Sequence, residues 1–538
     1  MSRRRLPWSA WWFVLPVVLP LAAIFASALR ALATPPEIWP HLLDYVLPQA
    51  ALNTFWLVAG VALLAALLGI TLGALVALTE FPGRRWFEWS LLLPLAAPGY
   101  VLAFVYIGLL DFAGPVQAML RATGIHGFPE IRSRGGVILV LGLTLYPYVY
   151  LLAREAFRGQ GARAMEAARS LGMSWREAFL HAALPLARPW IAGGVGLVVM
   201  ETLADFGTVA AFNYDTFTTA IYKTWFALFS FDGAMQLAAV LVTVVLVLAV
   251  LEQRRRLRRR FVAATGAQVK RTRLDGGKAL AATLLCGLVL AAAFILPLLQ
   301  LIAWSVQSFA AEFSANYLGY LGRSLLLAAS GALLIVALAV LLGYALRNAR
   351  GWQAQLLSRL ASLGYALPGP VIAVGLFAVV AMASNGLTAG WRMLAGEEAS
   401  AFHLQGTLAV LLIAYLARFL AVGFNPVESA FGRIGRNLDE AARSLGATSA
   451  ELLARVHLPL LRGGVLTGAI LAFVDVLKDM PITLMLRPYG WETLATRVFE
   501  LTSEGEYARA ALPAVAIVLA GLLPVLMLIR SLNAARNR

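Results

Sequence analysis

Four acidic residues stand in strongly apolar sequence: Glu201 and Asp205, four apart, and Asp475 and Asp479, again four apart. That separation places the two carboxylates of a pair on one helical face. Carboxylates at membrane depth are costly and face either a cavity or a partner. Two pairs lining a shared path would offer an oxygen-rich, anionic surface suited to hard cations. A second reading is equally open. Lys478, three residues after Asp475 and beside Asp479, would neutralise its pair. The acids would also satisfy backbone groups where a helix breaks, at Gly207 in one place and Pro481 in the other. Each pair is followed by mixed aromatic and polar sequence, Phe212–Trp225 and Leu486–Ala495, a composition common at membrane interfaces.

Other chemistries find little support. His41, His126, His181, His403 and His457 are scattered, and no H-E-x-x-H spacing occurs, so no resident metal site is expected. Gly276-Gly277-Lys278 lacks both the upstream glycine and the following Ser or Thr of a phosphate-binding G-x-x-x-x-G-K-[ST] loop. The chain is therefore expected to bind no cofactor and to leave ATP hydrolysis to another subunit. No nucleophile–base grouping points to a membrane enzyme. Cys286 is the single cysteine.

The elements that must carry these residues are membrane helices. Hydrophobic residues make up 60% of the 538 and charged residues 13%, against about a quarter charged in soluble domains. Twelve apolar runs are long enough to cross a bilayer: 11–31, 53–78, 90–111, 135–157, 190–212, 234–251, 279–303, 323–346, 361–383, 406–428, 463–487 and 510–530. Short β alternation is absent, which argues against a barrel. The net charge of +16 is read as positive-inside charge, not as nucleic-acid binding. Arg3–Arg5, Arg84-Arg85, Arg163, Arg169, Arg176, Arg188, Arg254–Arg256, Arg258–Arg260, Arg433, Arg436, Arg443, Arg536 and Arg538 all fall in loops on one side. That side is cytoplasmic if both termini are inside. The first run is expected to be an uncleaved span, being longer than a signal-peptide core.

The chain repeats itself. EAARSLG occurs at Glu166–Gly172 and at Glu440–Gly446, 274 residues apart, each followed at the same distance by Leu-Pro, Leu184-Pro185 and Leu458-Pro459. Ala96-Ala97-Pro98-Gly99 answers Ala366-Leu367-Pro368-Gly369 at 270, and the two acid pairs answer each other at 274. Six spans per copy keep both copies in the same orientation, so they should pack about a pseudo-twofold axis along the membrane normal with a path between them. The expected division is a first half over 1–251, a basic cytoplasmic linker over 252–278 and a second half over 279–538. Around each EAARSLG, Ala, Glu, Arg and Leu favour short helices. Gly172 and Gly446 break them, and Pro185 and Pro459 should break them again. Gly69 and Gly73 form a small-xxx-small pattern that lets helices approach closely.

E-A-A, a glycine after three further residues and a later Leu-Pro resemble the signature of permease subunits of ATP-binding-cassette importers. The resemblance covers both halves and implies a type I importer permease fold of about twelve transmembrane helices in the bacterial inner membrane. It implies that Glu166, Ala167, Ala168 and Gly172 form one coupling element, and Glu440, Ala441, Ala442 and Gly446 the other. Each would seat in a copy of a separate ATPase subunit, and a periplasmic binding protein would deliver the cargo. Met200–Trp225 and Asp475–Ala495 further look like the fused ferric-iron permeases of this family, so Fe(III) is the expected cargo, with Glu201, Asp205, Asp475 and Asp479 as candidate path residues. Related fused permeases carry thiamine. A gradient-driven carrier using Glu201 and Asp205 for protons is the alternative of another class; the duplicated EAARSLG loops stand against it.

Overall fold

A computed structural model describes residues 8–124, 126–127, 129–257, 271–347, 349, 351–398 and 400–536. Arg3–Arg5, Arg258–Arg260, Arg538 and the stretch 258–270 of the expected linker lie outside the described residues. Among the described residues, twelve helices are long and apolar enough to cross a membrane. In chain order they are Ala10–Ala33, Trp39–Leu78, Gly99–Ala122, Arg134–Ser170, Trp175–Ala204, Phe231–Leu251, Gly276–Glu312, Ala315–Arg347, Gly369–Ala395, Leu408–Arg433, Ser449–Leu477 and Tyr507–Met527, hereafter spans one to twelve. Each overlaps one expected run. Among the described residues the strand content is a two-residue parallel bridge pairing Thr79–Glu80 with Thr272–Arg273.

Prolines set several boundaries. Spans three and nine begin at Gly99 and Gly369, not at 90 and 361, because Ala97 and Leu367 precede prolines and are extended. A residue before proline is pushed out of the helical region by the ring. The breaks expected at Pro185 and Pro459 are absent: spans five and eleven run through both. The turn just before each proline widens into a π turn, Phe179–Ala183 and Leu452–His457. That local widening carries the helix past a residue with no amide to donate.

Two compact units make up the molecule, and they cut across the division at 1–251, 252–278 and 279–538. One comprises Met1–Asp44, Ala220–Val242 and Phe313–Glu500; the other comprises Tyr45–Thr219, Thr243–Glu312 and Leu501–Arg538. Within the first unit, span one packs on spans nine and ten, and Gln236 of span six donates to the Ser27 carbonyl at 3.3 Å. Within the second, span seven packs on span twelve, and Ser308 donates to the Ala508 carbonyl at 2.9 Å. Spans two and four meet at the expected small-residue pattern. A Cβ on Gly69 would lie 2.6 Å from Val149 Cβ, so nothing larger than glycine fits there.

Candidate functional site

The acids sit at two matching helix breaks. Span five stops at Ala204, Asp205 is extended, and a short helix restarts over Gly207–Ala211. Span eleven stops at Leu477, and a short helix restarts over Pro481–Leu486. A restarting helix presents amides with no partner, and lipid offers no water to satisfy them. Asp205 Oδ1 accepts from the Thr208 and Val209 amides at 3.0 and 3.1 Å, and Oδ2 accepts from the Thr208 hydroxyl at 2.9 Å. Asp479 Oδ2 accepts from the Ile482 and Thr483 amides at 3.1 and 3.4 Å. Both carboxylates thus serve backbone groups at a break.

Hydroxyl groups finish the job. Thr54 accepts from the Phe217 amide and Ser324 from the Leu494 amide, at 3.3 and 2.8 Å. Thr219 accepts from the Thr216 amide and Thr496 from the Thr493 amide, both at 2.9 Å. Thr219 lies in the Phe212–Trp225 stretch that the sequence singles out, and the duplicated T-x-x-T of Thr216–Thr219 and Thr493–Thr496 is the signal that marks Thr496 as its counterpart. Nothing in the sequence around Thr54 or Ser324 marks them.

The two breaks differ in charge. Lys478 Nζ lies 2.8 Å from Asp475, while Arg418 of span ten pairs with Asp479 at 2.8 Å. The first-half positions equivalent to Lys478 and Arg418 are Ala204 and Thr144. Thr144 spends its hydroxyl on the Val140 carbonyl at 2.8 Å. The second break therefore carries a cation for each acid, and the first carries none at either position. Among the described residues, no three His, Cys, Asp or Glu side chains are grouped to hold a metal ion.

The EAARSLG copies share their surface geometry. Each forms a short helix, Ala162–Ser170 and Arg436–Ser444. Gly172 and Gly446 follow at φ 89° and 87°, a left-handed conformation that glycine adopts without strain. Met173 donates to the Ala168 carbonyl and Ala447 to the Ala442 carbonyl, at 3.2 and 3.0 Å. These six-to-one bonds, with those from Gly172 to Arg169 and from Gly446 to Arg443, close both helices by a Schellman turn. Ser174 with Glu177, and Thr448 with Glu451, then form capping boxes that start spans five and eleven. Glu166, Ala167, Gly172, Glu440, Ala441 and Gly446 are exposed, Ala168 is buried and Ala442 half-buried. Leu171 and Leu445 are 81% and 88% exposed.

What lies beneath them is not shared. The first helix continues span four through a π turn over Phe157–Gly161. The second is cut from span ten at Ile434-Gly435 and rests on a buried ionic group. Asp439 is gripped by Arg347 at 2.7 and 2.9 Å and by His457 Nε2 at 2.9 Å. Burial pushes the Asp439 pKa up, but the hydrogen bonds and charges of Arg347 and His457 outweigh it and hold the group below the ordinary carboxylate value.

The model of the family "Binding-protein-dependent transport system inner membrane component" matches this chain twice, over residues 69–262 and 335–537. The chain belongs to this family. As a permease component, it is an all-α, two-half, multi-pass inner-membrane transport protein. It is 26% identical to the Fe(3+)-transport system permease protein FbpB 2 of Haemophilus influenzae, over 88% of each chain. It is 24% identical to the probable ABC transporter permease protein y4fN of Sinorhizobium fredii, over 91% of this chain and 88% of that one. A probable molybdenum ABC transporter permease of Haloferax volcanii matches at 29% over 42% of this permease and 80% of its own length.

Proposed function

We propose that this permease carries Fe(III), delivered by a periplasmic binding protein, into the cytoplasm at the expense of ATP hydrolysed by a separate subunit. The observation that carries the reading is the match to the Fe(3+) permease across both halves. Two copies of the ATPase dock, one on Glu166, Ala167, Ala168 and Gly172 and one on Glu440, Ala441, Ala442 and Gly446. Their surface fits docking: each element exposes a leucine and a glutamate, and both copies close in the same kind of turn. When ATP closes the two ATPase copies, the coupling elements move and the bundle alternates between inward and outward access. Both termini are then cytoplasmic.

On this reading the cargo passes Glu201 and Asp205, whose break has no lysine or arginine at the positions of Lys478 and Arg418. Asp475 and Asp479 form the second pair, already neutralised by those cations. Paired carboxylate oxygens along the path favour a hard cation. A second reading, an oxyanion cargo, draws on Arg418 and Lys478 and on the molybdenum-named relative. Uptake of radiolabelled Fe(III) by cells expressing this chain with its binding protein and ATPase separates them. Uptake that needs the chain and ignores excess thiamine and molybdate is expected. Uptake abolished by molybdate or thiamine, or no iron uptake with the ATPase still bound, overturns the iron reading.

A further inference from the structure

The second EAARSLG helix is detached from the span before it. At the cut the Phe431 carbonyl accepts from the Ile434 amide and the Gly435 carbonyl from the Leu438 amide, at 3.1 and 3.4 Å. Arg347, the last residue of span eight, adds donors to both and reaches Ile434 between them: Nη1 donates to Phe431 at 2.9 Å, and Nη2 to Ile434 and Gly435 at 3.1 and 3.2 Å. The same guanidinium grips Asp439 with Nε and Nη2 in a fork. Asp439 lies on the detached helix, and its Oδ1 also meets His457, fully buried in the π turn that opens span eleven. Among the described residues His457 Nδ1 has no hydrogen-bond partner, so the ring's hydrogen bond there is to Asp439, and it is wedged between Tyr344 and Phe431 with ring centroids 5.6 Å away on each side.

The first half shows what these positions need when the helix is not cut. At the offsets that relate the two copies, Arg347, Asp439 and His457 answer Ala77, Met165 and Ala183, all buried. Packing at the end of the bundle is therefore met by three apolar side chains. The charged trio occurs where the EAARSLG helix has lost its continuity with the preceding span.

We infer that Arg347, Asp439 and His457 are positioning residues that clamp the second coupling helix to spans eight and eleven and transmit its movement to them, whereas the first coupling helix transmits through unbroken helix to span four. This rests on the ATPase-docking reading above. The two ATPase copies then drive the permease through unlike linkages: one a rod, the other an ionic joint. Charge-assisted, bidentate contacts suit such a joint because they fix direction as well as distance.

The test installs the first-half residues in the second half: Arg347→Ala, Asp439→Met and His457→Ala together. No buried charge is stranded, so the chain should reach the membrane. The full permease is reconstituted in liposomes with its ATPase and binding protein. We expect ATPase binding within about twofold of wild type and transport lowered at least about tenfold, the size of a typical coupling effect. A second readout needs no ATPase. Spin labels on Ser170→Cys and Ser444→Cys, equivalent exposed positions, are compared with and without the triple change; the Ser444 label should become more mobile and the Ser170 label should not. Wild-type transport in the triple variant, or an unchanged Ser444 label, overturns the clamp. A wild-type chain that binds no ATPase overturns the docking reading, and the transmitting role with it.

Discussion

The two EAARSLG elements present the same face on different mountings. Both end in a Schellman turn at a left-handed glycine, and both lead into a capping box. One is the continuation of a membrane span; the other is cut free and held by an arginine–aspartate–histidine group. The lesson is that the exposed face is kept alike, while what faces the bundle is free to diverge so long as each orphaned backbone group is satisfied. The helix breaks repeat the lesson. Asp205 and Asp479 serve equivalent amides, yet among the described residues Asp479 also pairs with a half-buried arginine, Arg418.

The largest expected effect breaks that second likeness. Asp479→Ala strands Arg418 and should destabilise the chain by about 3–5 kcal/mol. Asp205→Ala removes an acceptor without stranding a charge and should cost about 1–3 kcal/mol. Thermal unfolding of the purified variants in detergent ranks them; equal losses would deny the difference between the breaks. A middle-sized effect sharpens the likeness of the loops. Gly172→Ala and Gly446→Ala each force a side chain into the left-handed region, at about 1–2 kcal/mol. The two should be equal, since a Cβ meets nothing at either site. Unequal losses in the same unfolding assay would show that the turns are not equivalent.

The smallest effect is a pH dependence confined to the second loop. Asp439 is held below the ordinary carboxylate value, which is about 3.9 in an unfolded chain. Its stabilising contribution is therefore fully present above that value and is lost as pH falls through the lower, folded value. Unfolding midpoints followed from neutral to acid pH should fall more steeply for wild type than for the variant carrying Arg347→Ala, Asp439→Met and His457→Ala. Parallel curves would contradict the account of the clamp.

Much of this was readable in the sequence because it is local. Gly172 and Gly446 mark their turns, and Gly207 and Pro481 mark the restarts of broken helices, since a few neighbouring residues decide each conformation. Pro185 and Pro459 misled because the π turns that absorb them have no sequence signature strong enough to read. The Arg347–Asp439 pair was illegible for a different reason. Its members are 92 residues apart, and nothing in either neighbourhood names the other. Arg418 and Asp479, 61 residues apart, escaped in the same way, leaving Lys478 as the apparent partner by proximity alone. The packing of span one on spans nine and ten likewise belongs to the folded chain and not to any stretch of it.

The proposed mechanism requires that two equivalent surfaces each seat an ATPase subunit. Co-purification of the ATPase with wild type, Glu166→Lys, Glu440→Lys and the double variant tests it. Both glutamates are exposed, so folding should be unaffected. Reduced capture by each single variant and loss of capture and transport in the double variant are predicted. Wild-type capture and transport by a correctly folded double variant would contradict the claim.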